Sequence, residues 1–315
     1  MSYKIIIKIV ISFLFLAYII FKVDMTLLFN AASSIKINYY IFSFLILILN
    51  SFVLAQKYKV VMKPSGIYQP LLRLVRINFI CRFYSMFLTT AMGQGVIRWH
   101  ISTKDQEGRF KFLAVMFFER STFLFALLFA ITASIFFVPN PKVNEIAGKF
   151  SPLLAAGFLS LFLFYFYLNY PPLYQYINKI VSGVPTKEKH VFINKLFKFI
   201  SIFSIYYRKR ESLVSGLCFA MMWQLFFLLR VYLLIFAIQV PLCFFDICWM
   251  ASLVLLVQVL PISLNGIGLR ETAYAFLFEI QDLSPEKGVL LGIVLFSQML
   301  FASSIGGALH LLSKE

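Results

Sequence analysis

Leu260-Pro-Ile-Ser-Leu-Asn-Gly-Ile-Gly-Leu-Arg-Glu271 is a polar interruption between two apolar runs, 244–260 and 289–312. Pro261 removes a backbone donor and disfavours helix just before it, while Gly266 and Gly268 permit tight backbone geometry, so a helix is expected to break here. A break of this kind at membrane depth is tolerated only where protein or a cavity covers it, which makes the surroundings a polytopic bundle. Composition agrees: the 315 residues are 61% hydrophobic and 13% charged, with mean hydropathy +0.87. The 38 Phe, 16 Tyr and 3 Trp exceed what one soluble core of this size buries, whereas lipid and bilayer interfaces accept them. A soluble enzyme, a disordered chain and a secreted disulfide scaffold are excluded.

To either side of this segment, runs long enough to span a bilayer occur at 5–21, 38–56, 112–138, 151–170, 213–236, 244–260 and 289–312. Two further stretches, 79–97 and 262–281, are apolar but interrupted by Gly, Arg and Glu, as re-entrant or broken helices are. The expected fold is therefore an all-α transmembrane helix bundle of about 7–8 spans plus one or two re-entrant or broken helices, forming a single integral membrane domain over 1–315. The first run, behind Lys4 and Lys8, resembles a signal peptide but is long and lacks small residues close behind it, so an uncleaved helix is expected.

Lys plus Arg total 29 against 13 Asp plus Glu, a net charge of +16. In such a chain the excess orients the spans and attracts anionic headgroups; nucleic acid is not an expected partner. Lys57, Lys59, Lys63, Arg73, Arg76 and Arg82 follow the second run, and eight more basic residues lie in 171–212, so both segments and the N-terminus are expected to be cytoplasmic. For 57–78 and 98–111 to share a side, 79–97 must enter and leave on one face. Counting 262–281 as a crossing gives eight spans and returns Lys314 to the cytoplasm; counting it as re-entrant leaves the C-terminus outside. Eight is preferred. In 171–212, the piece Val191–Ile200 has the pattern of a helix lying on the membrane surface.

Cys81, Cys218, Cys243 and Cys248 form no Cys-x-x-Cys pair, and His100, His190 and His310 are scattered, so no metal site, disulfide framework or cofactor is expected. A phosphate-binding Gly-x4-Gly-Lys-Ser/Thr loop is absent from the sequence. Any energy input would be a gradient or none.

At the broken segment, free N–H groups at the helix restart and the donor fork of Arg270 suit a phosphate, with Glu271 restraining Arg270 when no ligand is bound; a packing kink with an interfacial ion pair is the structural alternative. Asn265 and Gln94 are candidate headgroup donors. Gly93-Gln-Gly-Val-Ile-Arg98 again places two glycines before an arginine, so Gly93, Gly95 and Arg98 join the candidates and an internal repeat is expected to meet at a central site. Glu119 and Arg120 open the third full helix and project about 100° apart, so each is expected to find a partner on another helix or to snorkel. Arg230 and Asp246 are read as interfacial anchors, Gln258 as interhelical glue, and Gly306-Gly307 as a close helix contact.

The run from Leu260 to Glu271 resembles the signature of the lysylphosphatidylglycerol synthase transmembrane region family of flippase-like proteins. Phe118-Glu-Arg120, the Gly-x-Gly and Arg pattern at 93–98, and Ile305-Gly-Gly-Ala-Leu309 are similar to it as well, spreading the likeness over about residues 50–312. The first glycine motif departs from relatives, which often carry Pro before it and an acidic residue before the Arg, where Met92 and Val96-Ile97 stand here. The resemblance implies two re-entrant elements around a lipid-accessible cavity, with Arg270, Glu271, Arg98, Glu119 and Arg120 at motif positions, and no synthase domain. The function expected is translocation or handling of an anionic phospholipid or polyprenyl-phosphate-linked glycan in the cytoplasmic membrane of a prokaryote, with membrane lipids as partners and a homo-oligomer or envelope-biosynthesis proteins as further ones. The alternatives are a membrane glycosyl or acyl transferase, for which Asp105 and Glu107 are the candidate carboxylates, and an accessory subunit of an envelope pathway.

Overall fold

The computed structural model describes residues 24–86, 93–103, 111–138, 140–169, 210–260, 263 and 265–312. The first run at 5–21, the surface piece at 191–200, Asp105, Glu107 and Lys314 lie outside them. Among the described residues there are ten α-helices, one 3-10 turn at Lys63–Ser65 and no strand. The helices are α1 Met25–Ser33, α2 Ile37–Met62, α3 Leu71–Ser85, α4 Gly93–Thr103, α5 Lys111–Ile135, α6 Pro141–Asn169, α7 Arg210–Ala237, α8 Phe244–Val259, α9 Leu269–Ile280 and α10 Pro285–Leu311. Four stretches among the described residues are long and apolar enough to cross a membrane: Ile37–Ser65, Phe112–Ile135, Glu211–Ala237 and Pro285–Leu311.

Helix boundaries follow local chemistry. Asp24 caps α1 by accepting from the Thr26 hydroxyl and the Thr26 and Leu27 N–H groups, which holds its carboxyl below the usual carboxylate range. Pro285 at the start of α10 uses a position whose N–H would have no helical acceptor. Before α9 the chain passes through positive φ at Asn265, Gly266 and Gly268, +50°, +79° and +78°, which glycine adopts without steric cost.

Two halves share one order of elements. Helices α2 to α5 have 26, 15, 11 and 25 residues, and α7 to α10 have 28, 16, 12 and 27. In the first half the Gln69 side-chain amide, just before α3, donates to the carbonyl of Ser102 near the end of α4 at 3.2 Å. In the second, Gln281 just after α9 donates to Asp246 at the start of α8 at 3.2 Å. Each pair of short helices is therefore a hairpin whose ends meet, and the hairpins open at opposite ends of the bundle. The α8–α9 end also gathers Asn140, which donates to Gln281 at 2.7 Å, and the exposed Lys142–Asp282 pair. The opposite end gathers the end of α10, where Arg76 donates to the Leu309 carbonyl at 3.2 Å.

The long helices α2 and α7 pack along each other, α3 lies on α10 and α8 lies on α5, so each half's hairpin rests on the other half's last helix. Two apolar cores result. One joins Tyr58, Val61, Ile77, Phe112 and Phe118 near the α3–α4 opening, and the other joins Val231, Trp249, Tyr274, Phe278 and Leu291 near the α8–α9 opening.

The hairpins refine the expected span count. Helices α8 and α9, with 16 and 12 residues, measure about 24 and 18 Å at 1.5 Å per residue, short of a hydrocarbon core of about 30 Å. The run at 244–260 and the stretch at 262–281 are thus two arms of one hairpin. Both arms together return the chain to the end from which it came. In a background with the four native cysteines replaced, Gln239→Cys and Asp282→Cys, which flank the α8–α9 hairpin, should label with an impermeant maleimide from the same side of sealed vesicles. Labelling from opposite sides would show that one arm crosses and the other does not.

Candidate functional site

The second hairpin builds the candidate site around the start of α9. Glu271 Oε2 accepts from the Gly268 N–H at 2.8 Å, while Glu271 Oε1 accepts from Arg270 Nε at 3.0 Å and from Nη2 at 2.5 Å. Both side chains are buried, 7% and 8% exposed, so the pair is sheltered rather than interfacial. The anion expected at the helix restart is here the protein's own carboxylate, which occupies the N–H group and one edge of the Arg270 fork together. Phe296 of α10 lies under the guanidinium at 5.3 Å. Asn265 points its amide at the sulfur of Met299 at 3.9 Å, and Gly266 faces Gln258, whose Oε1 would stand 2.9 Å from any Cβ added there.

The middle of α10 carries the rest. Arg230 of α7 donates through Nε to Gln298 Oε1 at 2.8 Å and through Nη2 to the Leu295 carbonyl at 3.5 Å. Gln298 is fully buried and donates in turn to Ser43 and to the Tyr40 carbonyl of α2. The expectation that Arg230 is an interfacial anchor is corrected: it is turned inward and held by neutral acceptors. Arg82 of α3, half-buried, reaches the same region; its carbonyl accepts from Ser303 of α10 at 3.4 Å. Arg82 and Arg270 both lie within electrostatic range of Arg230. Positions 295, 296, 298, 299 and 303 of one helix thereby line up Arg230, Phe296 below Arg270, Asn265 and Arg82 over about 12 Å, near the midpoint of α10.

The first-half candidates form a second cluster. Arg98 of α4 is buried, lies over the Tyr58 ring at 4.0 Å, donates to the Tyr58 hydroxyl and donates to Asn78 Oδ1 at 2.9 Å. Lys57, 3% exposed, pairs with Glu119 at 3.3 Å, joining α2 to α5. Glu119 thus has the interhelical partner expected of it. Arg120 beside it belongs to this first-half cluster, within electrostatic range of Lys57 and Glu119. Gly93 opens α4 and Gly95 lies within it, and of the two glycine motifs the second is the one with positive φ among the described residues. Gly95 instead admits Met116 of α5, whose Cε would stand 2.5 Å from a Cβ.

Arg82 and Lys57 read as loop charges in the sequence, yet both lie within helices. The signal available is placement: Arg82 sits in the apolar stretch 77–88, and Lys57 stands seven positions after Asn50 in a helix whose buried face includes both. A buried pair that loses one member leaves an uncompensated charge. Lys57→Met should therefore cost about 3 kcal/mol of stability, while Lys57→Met combined with Glu119→Leu should recover most of it. Thermal melts in detergent measure both, and an additive double variant would mean that the pair carries no coupling.

Helices long enough to cross a membrane, two opposed hairpins and buried basic groups between them define a helical integral membrane protein. The chain matches the family model described as "Lysylphosphatidylglycerol synthase TM region" over residues 5–307, and it belongs to that family. No curated protein and no solved structure matches it.

Proposed function

We propose that this protein moves an anionic lipid, a phospholipid or a polyprenyl-phosphate-linked glycan, between the leaflets of the cytoplasmic membrane of a prokaryote. The observation that carries this reading is the convergence of Arg82, Arg230 and Arg270 at mid-bundle with Glu271 as the carboxylate beside them. Guanidinium groups taken from water cost several kcal/mol each unless paired, and such groups in a membrane bundle mark a substrate path. Planar donor forks fit phosphate oxygens.

The mechanism uses competition. A headgroup phosphate displaces Glu271 from the Nε and Nη2 edge of Arg270, while Glu271 keeps its bond from the Gly268 N–H. When Glu271 returns to Arg270 the headgroup is released, and the acyl or prenyl chains stay in lipid throughout. We infer further that residues 37–135 and 210–311 are an internal inverted repeat, whose two hairpins expose the site to the two sides in turn. The end bearing Lys59, Lys63, Arg73 and Arg76 is cytoplasmic on this reading, and the end bearing Asp246, Glu279, Asp282 and Glu286 is external. The test is lipid movement in proteoliposomes holding wild type or Arg270→Ala, read by chemical quenching of a fluorescent anionic lipid. Equal quenching rates in the two, at equal reconstituted protein, would remove this function.

A further inference from the structure

We propose that the Arg82, Arg230 and Arg270 centre selects a headgroup bearing two negative charges, a lipid diphosphate or phosphomonoester, and that Arg82 reads the second charge. This rests on the anion-handling role proposed above.

The charge inventory carries it. Arg82 and Arg270 lie within electrostatic range of Arg230, and the carboxylate paired among them is Glu271, so these three guanidinium groups carry two positive charges in excess. The chain has 13 acidic residues, and their positions leave few to correct this. Asp24, Glu145, Glu211, Asp246, Glu279, Asp282 and Glu286 stand at helix ends or turns, and Asp105, Glu107, Glu188 and Glu315 lie in connections or the terminus. Glu119 belongs to Lys57. The sequence between α3 and α4, Phe87-Leu-Thr-Thr-Ala-Met92, and that after α8, Pro261-Ile-Ser-Leu264, contain no Asp or Glu. A phosphodiester brings one negative charge and leaves the centre positive, at a desolvation cost that a sheltered site cannot recover. A diphosphate, or a phosphomonoester above its second pKa of about 6, brings close to two.

The three arginines are also committed differently. Arg270 holds Glu271, and Arg230 holds Gln298 and the Leu295 carbonyl. The guanidinium of Arg82 has no hydrogen bond or ion pair among the described residues, although it is half-buried within electrostatic range of Arg230 and Arg98. Its donors are the ones open to a second phosphate oxygen set.

Detergent-purified protein is titrated at about pH 8 with geranyl diphosphate, geranyl monophosphate, dihexanoyl phosphatidylglycerol and inorganic diphosphate. Geranyl diphosphate and monophosphate should bind at least tenfold tighter than the phosphatidylglycerol. Arg82→Gln should weaken them more than it weakens the phosphatidylglycerol, bringing the three to within about threefold of one another, and Arg82→Lys should restore part of the preference, with melting points confirming the fold of each variant. Equal binding of all three lipids by wild type, or equal losses across them in Arg82→Gln, overturns the two-charge assignment and leaves the proposed function standing. Inorganic diphosphate bound as tightly as geranyl diphosphate overturns the lipid as its source. Binding of none of them overturns the assignment and the anion-handling role together.

Discussion

Gly306→Ala should destabilise the protein by about 3 kcal/mol or more, the upper part of the range for overpacking, and Gly306→Leu should leave little folded material. A Cβ at Gly306 would stand 2.0 Å from the Phe79 carbonyl oxygen and 2.6 Å from its carbon, so α10 and α3 touch backbone to backbone there. Nothing at that contact is a side chain that can turn aside; the helices themselves must separate. Separation would pull α3, and with it Arg82, from the α10 surface that aligns the site. The neighbouring position supplies the control. A Cβ at Gly307 meets ring atoms of Phe83 at 3.0 and 3.1 Å, a side chain with room to shift, so Gly307→Ala should cost under about 1 kcal/mol. Thermal melting and size-exclusion profiles in detergent separate the two. Equal melting points for Gly306→Ala and wild type would mean that the close crossing is not a stabilising contact.

Arg270→Ala should lower affinity for the anionic headgroup about 100-fold, since it removes charge-assisted hydrogen bonds worth about 1.5–3 kcal/mol each. The loss has two parts. The excess positive charge of the centre falls from two to one, and Glu271 is left with only the Gly268 N–H, an unpaired carboxylate repelling any phosphate that arrives. Arg270→Lys keeps the charge without the planar fork, so it should recover only part of the affinity. Glu271→Gln frees the Nε and Nη2 edge and should bind anions more tightly than wild type while slowing release, so transport falls as binding rises. Native mass spectrometry of gently extracted protein reads the co-purifying lipids directly. A defined acidic lipid carried by wild type and lost in Arg270→Ala is the expected result; the same bulk phospholipids on both would place the anion elsewhere.

Composition and pattern alone settle the membrane fold, because long apolar runs and a small charged fraction admit no other solvent, and they locate the break before α9, where φ is positive at Asn265, Gly266 and Gly268. The Arg270 and Glu271 pair is legible for the same reason: a Pro, two glycines and an Arg-Glu in an apolar stretch are locally improbable unless backbone geometry or charge is at stake. Lys57 with Glu119 and Arg230 with Gln298 are not legible, since 62 and 68 residues separate the partners and a lone basic residue near a helix end has the pattern of an interfacial anchor. Arg82 is hidden among neighbouring charges that do lie at the bundle's end. That the four short helices close into two hairpins emerges in three dimensions, because it rests on Gln69 reaching Ser102 and Gln281 reaching Asp246. Which arginines meet is likewise a matter of packing: hydropathy fixes how deep a residue lies, whereas the rotation and pairing of helices come from contacts such as Gly306 on Phe79 and Gly292 on Glu271, made between residues distant in the chain.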